Sequence, residues 1–359
     1  MTLEVDPEPT PRELWPAWGP LAPPDECAGE SEALRRLCCS DPLFAQRYEG
    51  WEELGRGGGA SVVKTYQRDL RQEVALKVVF PLSAEDAQRF VSEAQALMRC
   101  SHPCVVNVLG TFSRGLVCWL ELELVEGETL AALLKRVRER RERLELGSAL
   151  QIAQCLAEGL AAVHEAGVVH RDVKPGNVLL PRSGRPAAKL MDFGVARSLD
   201  ATIVLEEAIP GSPKYLCPEA LDVRGRVGPA GDVYALAVTL FQLFSGGLYP
   251  FPLRDEATVA EALDCHARKA PFPLRVLGGD LPDDLVDLVH RGLEKKPSRR
   301  PSAAEMAQVL RELRSPERAQ VGRRAAGAAR QGAFWLRALV WGAAGLLGLA
   351  GLWLLVRGL

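Results

Sequence analysis

The chain has almost no net charge: 44 lysines and arginines against 46 aspartates and glutamates leave a formal charge of -2. Its overall field therefore gives no reason to expect nucleic acid as a partner. A disulfide framework is also lacking, because nine cysteines form an odd set without framework spacing; free thiols in a reducing compartment fit this better. The tightest group, Cys100, His102 and Cys104 in "CSHPC", has no matching second pair and reads as a loop with two buried thiols rather than as zinc ligands. No charged-then-apolar signal peptide opens the sequence. What is present is material for one large core or two lobes: 359 residues with 47% hydrophobic content exclude a small disordered protein.

Composition divides the chain. Residues 1–48 form a proline- and acid-rich leader, with eight prolines in the first 45 positions and no sustained apolar period. It is expected to be mostly unfolded, with a short helix in "SEALRRLCCSDPLF". From 49 to 124 the pattern changes to short β-rich runs, "SVVKTY", "EVALKVVF" and "LVCWLELELV", interrupted by one helix, "AEDAQRFVSEAQALMRC". Ser83 stands where it can cap that helix, with Asp86 three residues on. Residues 125–313 are mostly helical. Ile152, Ala153, Leu156, Leu160 and Val163 follow one helical stripe, which Gly167 stops. "DVYALAVTLFQLF", 232–244, is apolar nearly all round but too short to span a bilayer, and reads as a buried central helix. The final domain helix lies near "PSAAEMAQVLREL". The interleaved glutamates of "RVRERRERLE" make that stretch a solvated helix or loop rather than a nucleic-acid site.

The last region differs. Positions 338–356, "ALVWGAAGLLGLAGLWLLV", carry no charge, and at ~1.5 Å per residue they make roughly 28 Å of helix, close to a hydrocarbon core of about 30 Å. A transmembrane helix is the expectation, with Trp335, Trp341 and Trp353 near its ends. The linker 314–337 holds six arginines and one glutamate, which assigns that side to the cytoplasm. The expected topology is a single-pass, tail-anchored protein of the cell membrane. Gly345, Gly348 and Gly351 would let two such helices approach in a homodimer, although ordinary glycine content explains them as well.

Three stretches carry chemistry. "GRGGGASVVKTY", 55–66, is a glycine-rich turn running into a strand. "VVHRDVKPGNVLL", 168–180, is strand, short polar loop, strand. From such a loop Asp172 can accept the proton of an attacking hydroxyl, Lys174 can neutralise a moving phosphoryl group, and Asn177 can offer an oxygen to a metal. "DFG", 192–194, follows a short apolar run, and its Asp192 is a hard oxygen ligand suited to Mg²⁺.

Taken in order, "LGRGG", "VALK", a helix glutamate, "HRDVKPGN", "DFG", "CPE" and a late "RRP" resemble the bacterial eukaryotic-like (Hanks-type) serine/threonine protein kinase family over about residues 50–313. The resemblance implies an α+β, bilobal protein-kinase-like fold with a small β-rich N-lobe and a large helical C-lobe. It further implies ATP and Mg²⁺ as nucleotide and metal, with Leu54, Gly55, Gly57 and Val62 around the nucleotide. Lys77 would bind the α and β phosphates and pair with Glu93, while Glu123 and Val125 would meet the adenine through their backbone. Asp172 becomes the catalytic base, and Asn177 and Asp192 the magnesium ligands. Asp232 resembles the aspartate that ties the buried helix to the catalytic loop, and Glu219 would pair with Arg300. Lys174 together with Ser212 implies Ser or Thr acceptors on protein substrates.

Arg171 resembles the arginine of family members switched by activation-loop phosphorylation, with Thr202 as the preferred site among Ser198, Thr202 and Ser212. Ala60 stands where the family has a third glycine. Gly55 and Gly57, which let the backbone approach phosphate, are kept, so catalysis is expected to survive with weaker nucleotide binding. Two other readings stay open: a nucleotide-binding pseudokinase scaffold, and a small-molecule phosphotransferase, against which "GSPKYLCPE" and Arg300 count.

Overall fold

The structure, a computed structural model, describes residues 42–315 apart from 58–59, 81–82, 115–116, 194–212, 222–226 and 254–257. The N-terminal part of the described chain builds a five-stranded antiparallel sheet from β1 (Tyr48–Gly57), β2 (Ala60–Gln67), β3 (Gln72–Val79), β4 (Val108–Arg114) and β5 (Val117–Glu123), in the spatial order β1-β2-β3-β5-β4. In β3, Val74, Leu76 and Val78 enter one apolar cluster with Val63 and Trp119, whereas Val79 enters another with Cys118 and Leu120. The two-residue period thus gives the sheet two covered faces.

One face is closed by α1 (Pro42–Arg47). Phe44 packs on Tyr48 and Trp119 with ring centroids 4.7 and 5.6 Å apart. Arg47 pairs with the buried Glu121 at 3.2 Å, and the Tyr48 hydroxyl donates to the same carboxylate at 2.8 Å. The end of the stretch expected to be unfolded is therefore folded onto the sheet. Its aromatic rings have a surface to cover, and a buried carboxylate needs a cation and a donor.

The other face is covered by α2 (Ala84–Met98), whose Ala87, Phe90, Ala94 and Leu97 are buried. Ser83 caps it as its sequence predicts, accepting from Asp86 N at 3.1 Å.

The larger lobe is built on α3 (Leu130–Glu139), α4 (Leu146–Glu165), α5 (Pro229–Ser245), α6 (Val259–Arg268), α7 (Leu274–Gly278) and α8 (Asp283–Gly292), with α9 (Ala303–Leu313) last. A small antiparallel sheet joins β6 (Gly127–Thr129), just before α3, to β7 (Val178–Pro181) and β8 (Lys189–Leu190), which lie between α4 and α5 in sequence. Helix α5 is buried along nearly its whole length, as its all-round apolar sequence requires. Pro229 opens it and Gly246, at φ 77°, ends it.

Among the described residues, α4 is the one helix long and apolar enough to cross a membrane, and half of the apolar window is buried inside the protein. It is the amphipathic core helix that its stripe predicts. The stretch 338–356 and the linker before it lie outside the described residues, apart from Arg314 and Ser315. Contacts divide the chain into Met1–Gln308 and Val309–Leu359, and every site residue discussed below belongs to the first unit.

Candidate active site

Strand register places the first group of side chains. Gly55 faces Val62 across β1 and β2, Val62 faces Lys77 across β2 and β3, and Lys77 faces Leu120 across β3 and β5. Residues in one such rank point to one face of an antiparallel sheet. Val62 and Lys77 therefore share the face that also carries Leu120, with Leu54, 48% exposed, at the strand edge beside Gly55. Gly57 pairs with Ala60 at the end of this register. Ala60 packs against the buried cluster of Phe90, Val79 and Cys118. Its methyl group thus serves the core of the lobe.

The second group is the polar loop before β7. Asp232, in the first turn of α5, accepts from His170 N and Arg171 N, each at 2.7 Å, and contacts His164 Nε2 at 2.9 Å. These bonds hold Arg171 at φ 62°, a conformation that a residue with a side chain keeps only when its surroundings over-determine it. Within the loop, Asn177 Nδ2 donates to both the backbone oxygen and Oδ2 of Asp172 at 2.8 Å, and Lys174 Nζ lies 2.8 Å from the same Oδ2. Both amide hydrogens of Asn177 are spent on Asp172. Its Oδ1 is the amide oxygen left for a hard cation.

The third group departs from expectation. Lys77 Nζ pairs with Asp192 and lies 3.5 Å from Phe193 O, whereas Glu93 pairs with Arg171 Nη1 at 3.3 Å. The expected Lys77 and Glu93 ion pair is replaced by two others. The physical reason is the nearly buried ammonium of Lys77, which takes the carboxylate presented by Asp192. Burial alone pushes the Asp192 carboxyl up, but the charge and hydrogen bond of Lys77, helped by His170 and Lys174, hold it below its ordinary value. Asp192 itself sits at φ 63°.

The sequence pattern of the protein kinase domain matches residues 48–310, the span that carries all three groups. The chain belongs to the protein kinase family. Curated relatives include the "Serine/threonine-protein kinase pkn2" of Myxococcus xanthus, 38% identical over 275 residues covering 74% of this chain and 32% of the relative. The "Serine/threonine-protein kinase PksC" of Streptomyces coelicolor is 35% identical over 275 residues, 74% of this chain and 48% of the relative. The "Serine/threonine-protein kinase PknK" of Mycobacterium tuberculosis is 34% identical over 280 residues, 77% and 24% of the two chains. The match thus spans between a quarter and a half of the length of these relatives.

In this kinase domain the Glu219 and Arg300 pair is present in bidentate form, at 2.6 and 2.8 Å. Burial pushes the Glu219 carboxyl up, but Arg300, together with a backbone hydrogen bond and Cys217, brings it below its ordinary value. Arg300 also donates to Ala230 O and Glu294 O at 2.9 and 2.7 Å, and its guanidinium lies 4.8 Å from the Tyr234 ring centre. Glu123 ends β5, where the hinge is expected. Its N–H donates to Asn107 O at 3.0 Å, so this N–H is not available to an adenine. Its carboxylate accepts from Asn107 N at 2.9 Å and pairs with Lys189. Val125 lies in the loop between β5 and β6. Thr202 and Ser212 lie outside the described residues.

Three contributors escaped the reading of the sequence. His170 is fully buried, packs on Phe193 with centroids 4.8 Å apart and reaches Met191 O at 3.2 Å. Burial lowers its proton affinity, outweighing the neighbouring carboxylates. His164 adds a second tie from α4 to Asp232, and Lys189 holds Glu123. Their signal was position: His170 precedes Arg171 in "HRD", and His164 lies in the last turn of a legible helix.

Proposed function

We propose that the chain is an ATP- and Mg²⁺-dependent protein serine/threonine kinase, which transfers the γ-phosphate to Ser or Thr hydroxyls of proteins, itself included. The observation that carries this reading is the convergence on Asp172: Asn177 and Lys174 hold its side chain, while Asp232 fixes the backbone beneath it. A base placed with this constraint suits an attacking hydroxyl. The hydroxyl oxygen bonds to the γ-phosphorus as the bond to the β-phosphate oxygen breaks, and the proton passes to the Asp172 carboxylate. Lys174 offsets charge on the moving group. Asp192 and Asn177 Oδ1 supply the hard oxygens that fit Mg²⁺, which when bound neutralises charge on the phosphates. Lys77 reaches the nucleotide phosphates once it leaves Asp192, and Glu93 takes it up once it leaves Arg171. A phosphate on Thr202 would compete for Arg171 and so favour that exchange.

The membrane anchor at 338–356, with the kinase domain in the cytoplasm, is part of the same proposal and rests on the uncharged run and the arginine-rich linker. Pairing of such helices through Gly345, Gly348 and Gly351 would make a homodimer.

The test is transfer of labelled γ-phosphate by the full chain to a generic basic protein. Asp172→Asn should lower turnover by roughly 10² to 10⁴, and Lys77→Ala should abolish detectable transfer. Equal labelling by wild type and Asp172→Asn would remove Asp172 from the mechanism. ATP binding without any transfer would leave a pseudokinase scaffold. Carbonate-resistant pelleting that disappears on removal of residues 334–359 tests the anchor, and a soluble full-length chain overturns it.

A further inference from the structure

A buried polar chain in the larger lobe runs through side chains that the mechanism leaves unused. His266 on α6 is fully buried, and its ring lies between Tyr234 of α5 and Tyr249 of the loop after α5. Its Nδ1 is 2.8 Å from the Tyr234 hydroxyl and its Nε2 is 2.7 Å from that of Tyr249. The Tyr249 hydroxyl donates to Lys214 O. These bonds fix where each hydrogen sits. Because Tyr249 spends its own hydrogen on Lys214, its oxygen accepts from His266 Nε2–H, which leaves Nδ1 to accept from Tyr234. The ring is neutral in this arrangement, as its burial favours. Lys295 closes the far side: it donates to His266 O at 2.6 Å and stands 4.4 Å from the centre of the Phe251 ring, which lies 5.1 Å from that of His266.

Packing alone does not ask for such a chain. Apolar side chains of the same shape fill a core at little cost, whereas a fully paired buried network fixes one geometry. What it fixes here is a backbone carbonyl near the start of the described stretch Pro213–Leu221. Further along, that stretch abuts the turn beneath the catalytic loop. Cys217 Sγ lies 3.1 Å from where a Cβ on Gly231 would stand, and the next residue, Asp232, holds His170 N and Arg171 N. Tyr215 adds a bond from its hydroxyl to Gln242 Oε1 on α5 at 2.8 Å. The stretch is thus pinned at a set place relative to Asp172, and none of these bonds involves Lys77, Glu93 or Asp192. We propose, on the kinase reading above, that Tyr249 and His266 are positioning residues for the protein acceptor: through the Lys214 carbonyl they hold the surface against which a protein substrate lies when its hydroxyl reaches Asp172. Loss of the Tyr249 hydroxyl frees that carbonyl and loosens the surface. Affinity for the acceptor then falls, while nucleotide binding, which uses other residues, is kept.

Initial rates of labelled γ-phosphate transfer by the full chain in detergent are measured against the concentrations of the basic protein and of ATP. Tyr249→Phe keeps the ring and removes the hydroxyl. Its KM for the basic protein should rise about 3- to 10-fold, the worth of one hydrogen bond, with the KM for ATP unchanged. His266→Leu should do the same, and His266→Gln, which retains an N–H for Tyr249, should recover most of the loss. If His266→Leu fails to fold, Tyr249→Phe decides. Affinity for the fluorescently labelled basic protein, with a non-hydrolysable ATP analogue present, gives a reading without turnover. A chain that transfers no phosphate yet loses this affinity in Tyr249→Phe speaks against the kinase function and for the acceptor surface. An unchanged KM or affinity for the basic protein in Tyr249→Phe, or a KM for ATP that rises in step, overturns the proposal.

Discussion

Removing the Glu219 carboxylate while leaving Arg300 in place gives the most direct test of how the larger lobe is braced. The Arg300 side chain is fully shielded from solvent, and the Glu219 side chain is 21% exposed. Stripping one partner from a buried pair costs about 3 to 5 kcal/mol, because the other charge is left uncompensated. Here the carbonyls of Ala230, Glu294 and Lys295 keep three hydrogen bonds to the guanidinium, and a glutamine can still accept one. Glu219→Gln should thus cost about 2 to 3 kcal/mol, a fall in melting temperature of roughly 5 to 10 °C. Arg300→Met leaves a carboxylate that water can reach but orphans those carbonyls, and should cost a similar amount. If the two side chains act as a unit, the double variant loses less than the sum of the singles by about 1 to 3 kcal/mol.

The sign with pH is fixed as well. The folded Glu219 carboxyl lies below its unfolded value, so its contribution is complete above about pH 4.3 and is lost as pH falls through the folded value. The penalty of Glu219→Gln should shrink over that acid range. Scanning calorimetry of the full chain in detergent reads all of this. Additive losses, with no coupling beyond about 0.5 kcal/mol, would refute the idea that the pair is a brace.

Asp232→Asn replaces an oxygen that accepts from His170 N or Arg171 N with a donor, and should cost about 2 to 4 kcal/mol. Hydrogen exchange at the amides of His170 and Arg171 should rise more than in the middle of α4; equal protection would contradict the anchoring role. His266 is buried between the hydroxyls of Tyr234 and Tyr249 at 2.8 and 2.7 Å, and burial, with Lys295 adding to it, pushes it down to about 4. Between pH 6.5 and 4 the unfolded chain binds the proton and the folded chain does not, so stability falls with falling pH by about 3 kcal/mol. His266→Gln should flatten that part of the urea-midpoint profile, and an unchanged slope would remove His266 as its source. Lys77→Met leaves burial to act on Asp192 without its cation, so the Asp192 carboxyl should move up, as carboxyl NMR titration would report. A carboxyl that stays low would mean that His170 and Lys174 suffice.

Local signals made much of the fold legible. Ser83 and Asp86 announced the start of α2, Gly167 with its φ of 77° followed α4 as a stop, and the all-round apolar 232–244 became the buried α5. What escaped depends on distant partners. Helix α1 is held by Glu121, 74 residues away from Arg47, and no local pattern in a proline-rich leader reports that. Strand β4, "VLGTFSR", has little alternation because Gly110 makes room for the Phe112 ring, 2.8 Å from where a Cβ would stand. It is a strand because β5 pairs with it along most of its length.

The site shows the same division at the level of charge. Sequence order identified Lys77, Glu93, Arg171 and Asp192 as two cations and two anions around one cleft, but four such charges have more than one neutral pairing. The pairing found here, Lys77 with Asp192 and Arg171 with Glu93, differs from the expected pairing of Lys77 with Glu93 by an exchange of partners, so the difference between the two is a small remainder of large opposing terms. A competing anion at Arg171, or a cation that binds Asp192, supplies a differential interaction of the size needed to shift such a balance. The identities of the four residues could therefore be read from the chain, whereas their partners depend on what else is bound.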